Sequence, residues 1–375
     1  MAKIILVLTS LRSGGAEKQL LWIATEIASA GISCSIFELI AGDRTERIEG
    51  MVRGAIAKGV TVVRAPLGNG AIHGLVRLLH HVRRQRPAVL WSWGLRADCF
   101  SFLARTFNDR CRWVVSIRSA NRHMPTLPAL VQRMMAHFCD GIVSNTRMGL
   151  KLLGVETGVD ERHWVLPNAL AVDILPPVAL PEDRPERLIL VMLGNIKVRI
   201  KGYDLAGQLA RRLKDSGFSF ELRIAGRPDE FTELDRIISA LELKDMIRFY
   251  GEVARPEDFL RGGHVYLLLS RFEGMPNTLL EALNCGLPAI ATAVGDLSIL
   301  KAAGAPFALI PTEDVEASFR AVQAAADDWR HTKLVAAQGR NWVQANFSEE
   351  ACRHVLQEIV RTFCSDQRNP DPRPS

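Results

Sequence analysis

The chain has 375 residues, 48% of them apolar and 23% charged, which predicts two globular domains and excludes a disordered chain. No run of about 18 apolar residues is present, so a membrane-spanning helix is excluded. The seven cysteines are odd in number and lack close spacing, which excludes a disulfide framework and a zinc or redox motif.

The N-terminus, Met1-Ala-Lys-Ile-Ile-Leu-Val-Leu, reads as a first strand rather than a signal peptide, so a cytoplasmic location is expected. The spacing predicts strands over 3–8, 33–39, 60–64, 88–91, 113–117, 141–144 and 163–166. Amphipathic segments near 16–30, 45–58, 71–86, 96–107, 127–138 and 146–153 separate them. Four prolines between Leu175 and Glu186 mark a linker, because proline resists regular structure. The alternation then restarts. Strands are expected over 188–193, 219–225, 247–250, 265–269 and 289–292, with helices over 203–215, 230–241, 276–284, 313–328, 331–345 and 348–363. The fold class is therefore α/β, with two Rossmann-like doubly wound domains facing a cleft. The expected divisions are 1–174, 187–347, a C-terminal helix 348–364 and a disordered tail 365–375.

The net charge of +6 is uneven, since residues 1–180 hold 22 Lys/Arg against 13 Asp/Glu. A basic half either attracts phosphates on lipid or pyrophosphate-linked substrates or is a solvated surface. Nucleic acid is not expected, as no recognition motif accompanies the charge. The segment Gly74–Arg86 is a basic amphipathic helix. Its Leu75, Leu78, Leu79 and Val82 pack on the sheet in one reading and mark peripheral membrane contact in the other.

Three segments carry chemistry. Gly14 and Gly15 follow the first strand and open a helix, where backbone can approach a ligand closely. After the strand 188–193 comes Gly194-Asn-Ile-Lys-Val-Arg-Ile-Lys-Gly202. Its Lys197, Arg199 and Lys201 suit a diphosphate. The sharpest is Ser270-Arg-Phe-Glu-Gly-Met-Pro-Asn-Thr-Leu-Leu-Glu281, after the strand 265–269. Pro276 suits a first helical turn, which would leave free amides at Asn277, Thr278 and Leu279. Glu273 and Glu281 then flank an anion-binding helix terminus, as a sugar diphosphate requires.

The Glu273-x7-Glu281 block, with Gly-Met-Pro-Asn inside and Glu-Ala-Leu-Asn-Cys-Gly-Leu-Pro288 closing it, resembles the retaining family 4 (group 1) glycosyltransferases. Gly14-Gly-Ala-Glu17, Lys201-Gly202, Ser144-Asn-Thr146 and Leu166-Pro-Asn168 add to the likeness. The resemblance implies a GT-B fold with the nucleotide-sugar mainly on the second domain and a lipid-linked or glycan acceptor mainly on the first. It implies that Glu273 contacts the donor sugar, with Lys201 and a nearby basic residue, Arg199 or Lys197, on the diphosphate, and Glu273, Lys201 and Arg199 are the expected catalytic residues. Donor contacts are expected also from Gly14, Gly15, Gly194, Asn195, Lys197, Gly226, Arg227, Asn277, Thr278, Leu279 and the ribose-binding Glu281. No cofactor or metal is implied.

The sequence departs from the family in three places. Asn195 stands where arginine is usual, and either Lys197 or Arg199 replaces it. Arg118 stands where many relatives carry histidine, and with Asn121 and His123 it is expected on the acceptor. After the strand 289–292 the chain has Gly295-Asp296 where relatives show Gly-Gly. A sugar-nucleotide epimerase or hydrolase of the same fold, and a non-catalytic binding protein, remain alternatives.

Overall fold

The computed structural model describes residues 2–12, 15–66, 70–108, 110–118, 126–155, 162–171 and 177–365. Gly14, Asn121, His123, the linker residues 172–176 and the tail from 366 onward lie outside the described residues. The chain forms two compact units, Met1–Ala169 with Cys352–Ser375, and Leu170–Ala351.

Among its described residues the first unit holds seven strands, β1 (Lys3–Leu8), β2 (Ser33–Glu38), β3 (Thr61–Val63), β4 (Val89–Trp93), β5 (Arg112–Ile117), β6 (Gly141–Ser144) and β7 (His163–Val165). Their order in the sheet is β3-β2-β1-β4-β5-β6-β7. The second holds β8 (Leu188–Leu193), β9 (Phe220–Ala225), β10 (Ile247–Phe249), β11 (Val265–Leu268), β12 (Ala289–Thr292) and β13 (Ala308–Ile310). The order there is β10-β9-β8-β11-β12-β13. Every pairing is parallel. A parallel sheet is covered on both faces, so its strands read as unbroken apolar runs. Lys-Ile-Ile-Leu-Val-Leu of β1 and Leu-Ile-Leu-Val-Met-Leu of β8 are such runs. Each sheet reverses direction of growth beside its first strand, between β1 and β4 and between β8 and β11. Loops at that point, beyond the carboxyl ends of the strands, are where such sheets bind ligands.

The units part at Ala169/Leu170 rather than after residue 174, and hydrogen bonds decide it. Ala169 exchanges two hydrogen bonds with the Gln19 side chain of the first unit, at 2.7 and 2.8 Å. The Leu170 amide instead donates to the Phe347 carbonyl of the second. The proline-rich stretch is not a free tether over its described part. The Val178 amide donates to the Cys285 carbonyl, Trp329 Nε1 donates to the Pro181 carbonyl, and Leu180 packs against the second unit's core.

The C-terminal helix Glu349–Ser365 buries Cys352, Leu356, Ile359, Val360 and Phe363 in the first unit's core. A glycine makes this possible, since a Cβ on Gly141 of β6 would lie 2.2 Å from Phe363 Cζ. No disulfide joins any of the seven cysteines, and burial pushes the Cys34 and Cys139 thiols up to about 12, which leaves them unreactive. Among the described residues no helix is long and apolar enough to cross a membrane.

Candidate active site

In the second unit the loops after β8, β9, β11 and β12 meet at one edge of the sheet. Backbone closeness requires glycine at three of the contacts. A Cβ on Gly226 would sit 1.9 Å from the Gly194 carbonyl oxygen, and one on Gly202 would sit 1.9 Å from that of Leu269. Gly295, at φ +54°, would meet the Gly274 carbonyl at 2.7 Å. Gly295 thus packs the loop after β12 directly on the Glu273–Gly274 turn. Gly202 is left-handed (φ +71°) and separates a single helical turn, Val198–Lys201, from the helix Tyr203–Asp215. That turn lies within the basic segment. The Tyr203 hydroxyl donates to the Gly194 carbonyl at 2.8 Å, tying the loop's start to the helix that follows it.

This framework delivers Lys201 to Glu273. The ammonium lies 2.6 Å from Glu273 Oε1, and the same oxygen accepts from Ser270 Oγ at 2.8 Å. The glutamate side chain is 10% exposed and the lysine 30%, so the pair is sheltered yet reachable. Arg199 goes elsewhere. Its guanidinium lies 3.2 Å from Asp204 Oδ2 and is 73% exposed. Asp204 is also held by both terminal nitrogens of Arg271, at 2.7 and 2.9 Å. Arg271 further pairs with Glu313, and its pairing with Asp204 raises its pKa above the usual value. Lys197 stands 4.0 Å from Asp229 and 3.9 Å from Glu230. Arg227 pairs with Asp229, whose carboxyl is held below its ordinary pKa chiefly by that hydrogen bond. Asn195 is exposed.

The acidic block differs in detail from the sequence expectation. The helix is Asn277–Asn284, and Pro276 is its extended N-cap rather than its first helical residue. Leu279 is not a free donor. Its amide closes the first turn on the Pro276 carbonyl at 3.1 Å, and its side chain is fully buried. The Thr278 hydroxyl is shared with the buried Tyr266 hydroxyl at 2.7 Å. Glu281 lies on the same helix, one turn on, and is partly buried. Sequence reasoning passed over Ser270, Asp204 and Arg271. Their pairings span three to 67 residues, and no local spacing announces the longest.

In the first unit Gly15 is the first residue of the helix Gly15–Ser29. Arg118 follows β5, next to Trp93 at the end of β4 and Asn145 after β6. Its guanidinium lies 5.4 Å from the Trp93 ring centroid, and Nη1 approaches Asn168 Oδ1 at 3.4 Å. Burial lowers its pKa to about 10. Trp93 was not expected there. Among the described residues no three His, Cys, Asp or Glu side chains gather as the ligands of a metal would.

Residues 181–342 match the family of glycosyl transferases group 1. The lipopolysaccharide core biosynthesis mannosyltransferase LpsB of Rhizobium meliloti is 31% identical over 360 residues, covering 87% of this chain and 97% of that one. The chain belongs to the group 1 glycosyltransferases. A colanic acid biosynthesis glycosyltransferase, WcaL of Salmonella typhimurium, is 28% identical over 172 residues. There the match spans only 42% of that protein's length and 44% of this chain. Among solved structures, Anabaena HepE in complex with UDP-glucose superposes with a TM-score of 0.79 at 16% identity, covering 97% of this chain and all of that one. The fold is accordingly GT-B, with two Rossmann-like parallel sheets.

Proposed function

We propose that this group 1 glycosyltransferase retains anomeric configuration. In our reading it moves a sugar from a nucleotide-sugar, a UDP-sugar, to a lipid-linked or saccharide acceptor in cell-surface polysaccharide or lipopolysaccharide synthesis. The observation that carries it is the Lys201–Glu273 pair at the carboxyl edge of the second sheet. A cation beside a carboxylate suits a diphosphate and a sugar hydroxyl, which supports the reading. The relatives' polysaccharide and lipopolysaccharide roles support the pathway class, and the UDP-glucose seen in HepE supports the base.

In this reading the second unit holds the donor. Lys201 meets the diphosphate, aided by Arg199 and by the amides of Asn277 and Thr278. Gly194, Asn195, Lys197, Gly226 and Arg227 belong to the same edge and shape its approach. Glu273 accepts from the sugar hydroxyls and Glu281 from the ribose. The acceptor hydroxyl attacks C1 on the face from which the diphosphate leaves. The bond from C1 to the phosphate oxygen breaks, the new C1–O bond forms, and the proton passes to the departing phosphate. Catalysis then rests on positioning and on stabilising negative charge. Neither glutamate acts as a nucleophile, and we expect EDTA to leave turnover unchanged.

The acceptor falls to the first unit, with Arg118, Asn121 and His123. Peripheral contact with anionic lipid also belongs there. The basic helix Ala71–Gln85 buries Leu78 and Val82 in the core and turns Ile72, Val76, Arg83 and Arg84 outward. The helix Thr126–Phe138 offers more, with Leu127, Leu130, Met134 and Phe138 exposed at helical spacing.

The test is transfer from a panel of UDP-, GDP- and ADP-sugars to an extracted glycolipid fraction, with the new anomeric proton read by NMR. A retained linkage from one nucleotide class supports the proposal. An inverted linkage, or release of free sugar at the same rate without acceptor, overturns it.

A further inference from the structure

Buried polar atoms in folded proteins nearly always find a partner, and those that do not call for an explanation. In the first unit four of these atoms gather at one place. Arg118 Nε and Nη2, Asn145 Oδ1 and Trp93 Nε1 are all shielded from solvent without a hydrogen-bond partner. The three residues stand just beyond, or at, the carboxyl ends of the adjacent strands β4, β5 and β6. The cluster is knit together through Asn168, whose Oδ1 takes Arg118 Nη1 at 3.4 Å and Asn145 Nδ2 at 3.5 Å.

The two orphaned nitrogens of Arg118 are a matched pair. Nε–H and the Nη2 hydrogen beside it lie parallel along one edge of the planar guanidinium, the edge that grips two oxygens of a carboxylate or phosphate. The third nitrogen is already turned to Asn168. Among the described residues no carboxylate pairs with this arginine, and burial is the cause of its lowered pKa. The residue as a whole is partly exposed, but leaving these two shielded N–H groups unpaired is costly. A neutral sugar could satisfy the hydrogen bonds but would leave the charge uncompensated, whereas an oxyanion satisfies both. Trp93 adds a further unpartnered donor, and Asn145 Oδ1 an acceptor for a neighbouring hydroxyl.

We propose that Arg118, with Trp93 and Asn145, forms an oxyanion subsite, and that the acceptor of this enzyme is an acidic saccharide carrying a carboxylate or phosphate. The acceptor assignment rests on the reading that the first unit takes the acceptor; the anion preference rests on the cluster alone.

The test uses the full chain with UDP present and four probes: glucose, glucuronate, glucose 6-phosphate and inorganic phosphate. Melting temperature is one readout and the Nε–H NMR resonance of Arg118 the other. Glucuronate or glucose 6-phosphate should raise the melting temperature and shift that resonance, and glucose should do neither. A response to glucuronate alone assigns a uronic acid, and a response to glucose 6-phosphate alone a phosphorylated sugar. A response to inorganic phosphate with glucose 6-phosphate keeps the phosphate assignment. Arg118→Lys keeps the charge but loses the fork, and should weaken the response at least about tenfold. Arg118→Met should abolish it while melting, ligand-free, at or above the wild type. Two results overturn the proposal: Arg118→Met that melts lower yet answers both anions normally, or folded wild type that answers UDP but none of the anions. UDP binding in the same samples separates failure of this subsite from failure of the donor reading.

Discussion

The two units present opposite kinds of polar site. In the second, charges are matched among themselves: Lys201 with Glu273, Arg271 with Asp204, Arg227 with Asp229. In the first, Arg118, Asn145 and Trp93 hold shielded donors and an acceptor that no described residue satisfies. A self-paired site is assembled before ligand arrives, so little ordering remains to be done at binding. An unpaired one holds hydrogen-bonding capacity that only a ligand can use. The difference teaches that the second-unit site is tuned by geometry and the first-unit site by complementarity to what enters it.

The largest expected effects lie in the paired site. Glu273→Ala and Lys201→Ala should each lower transfer by about 10²- to 10³-fold, the scale on which single charge-stabilising groups act, as read by steady-state kinetics on folded protein. If either keeps wild-type turnover, the pair is structural and the comparison loses its functional half. Next comes the frame that positions the pair. Gly202→Ala forces an alanine into a left-handed conformation against the Leu269 carbonyl and should cost about 1–3 kcal/mol of stability. Denaturant melts would measure that cost, and nucleotide binding should weaken with it. Unchanged stability and binding would mean the loop does not depend on this close approach.

Arg199→Ala sharpens the comparison at its edge. The side chain is mostly exposed, so its pairing with Asp204 should contribute less than about 1 kcal/mol to stability. Transfer should nevertheless fall about tenfold, the loss of one charge-assisted hydrogen bond. If Lys197→Ala carries that loss instead, Lys197 stands in for the missing arginine.

The smallest effect on transfer, though not on stability, concerns Asp98, fully buried in the first unit, whose Oδ1 accepts from Ser92 Oγ at 2.6 Å. Burial raises its pKa from 3.8 to about 7. The folded state therefore holds a proton that the unfolded chain releases, so this group's contribution is full below pH 3.8 and is lost as pH rises to about 7. Asp98→Asn should gain stability relative to wild type across that window and hold the gain above it. A pH-independent difference in melting temperature would contradict the titration.

Much of this architecture is legible in the amino-acid sequence because buried parallel strands are compact apolar runs. β1, β6, β8 and β12 begin and end where the pattern predicts. What escapes is short or distant. The edge strand Ala308–Ile310 has three residues, and the helices Val198–Lys201, Pro256–Arg261 and Leu297–Ala302 are too brief to show periodicity. Lys201, Glu273 and Glu281 are marked by glycine and proline punctuation. The mate of Asp204, however, is Arg271, 67 residues along the chain, and only the β8–β11 pairing brings their loops together. Arg118 could be seen as a departure from the family, but its lack of a counter-charge is a property of the fold.

The most direct measurement of the central claim is nucleotide binding by thermal shift, with UDP, GDP and ADP tested on wild type and Lys201→Ala. One nucleoside diphosphate at about 100 times its dissociation constant should add about 2.7 kcal/mol of stability to the wild type, and Lys201→Ala should lose that gain. No shift with any of the three, or an equal shift in the variant, would contradict the assignment of the donor to the Lys201–Glu273 edge.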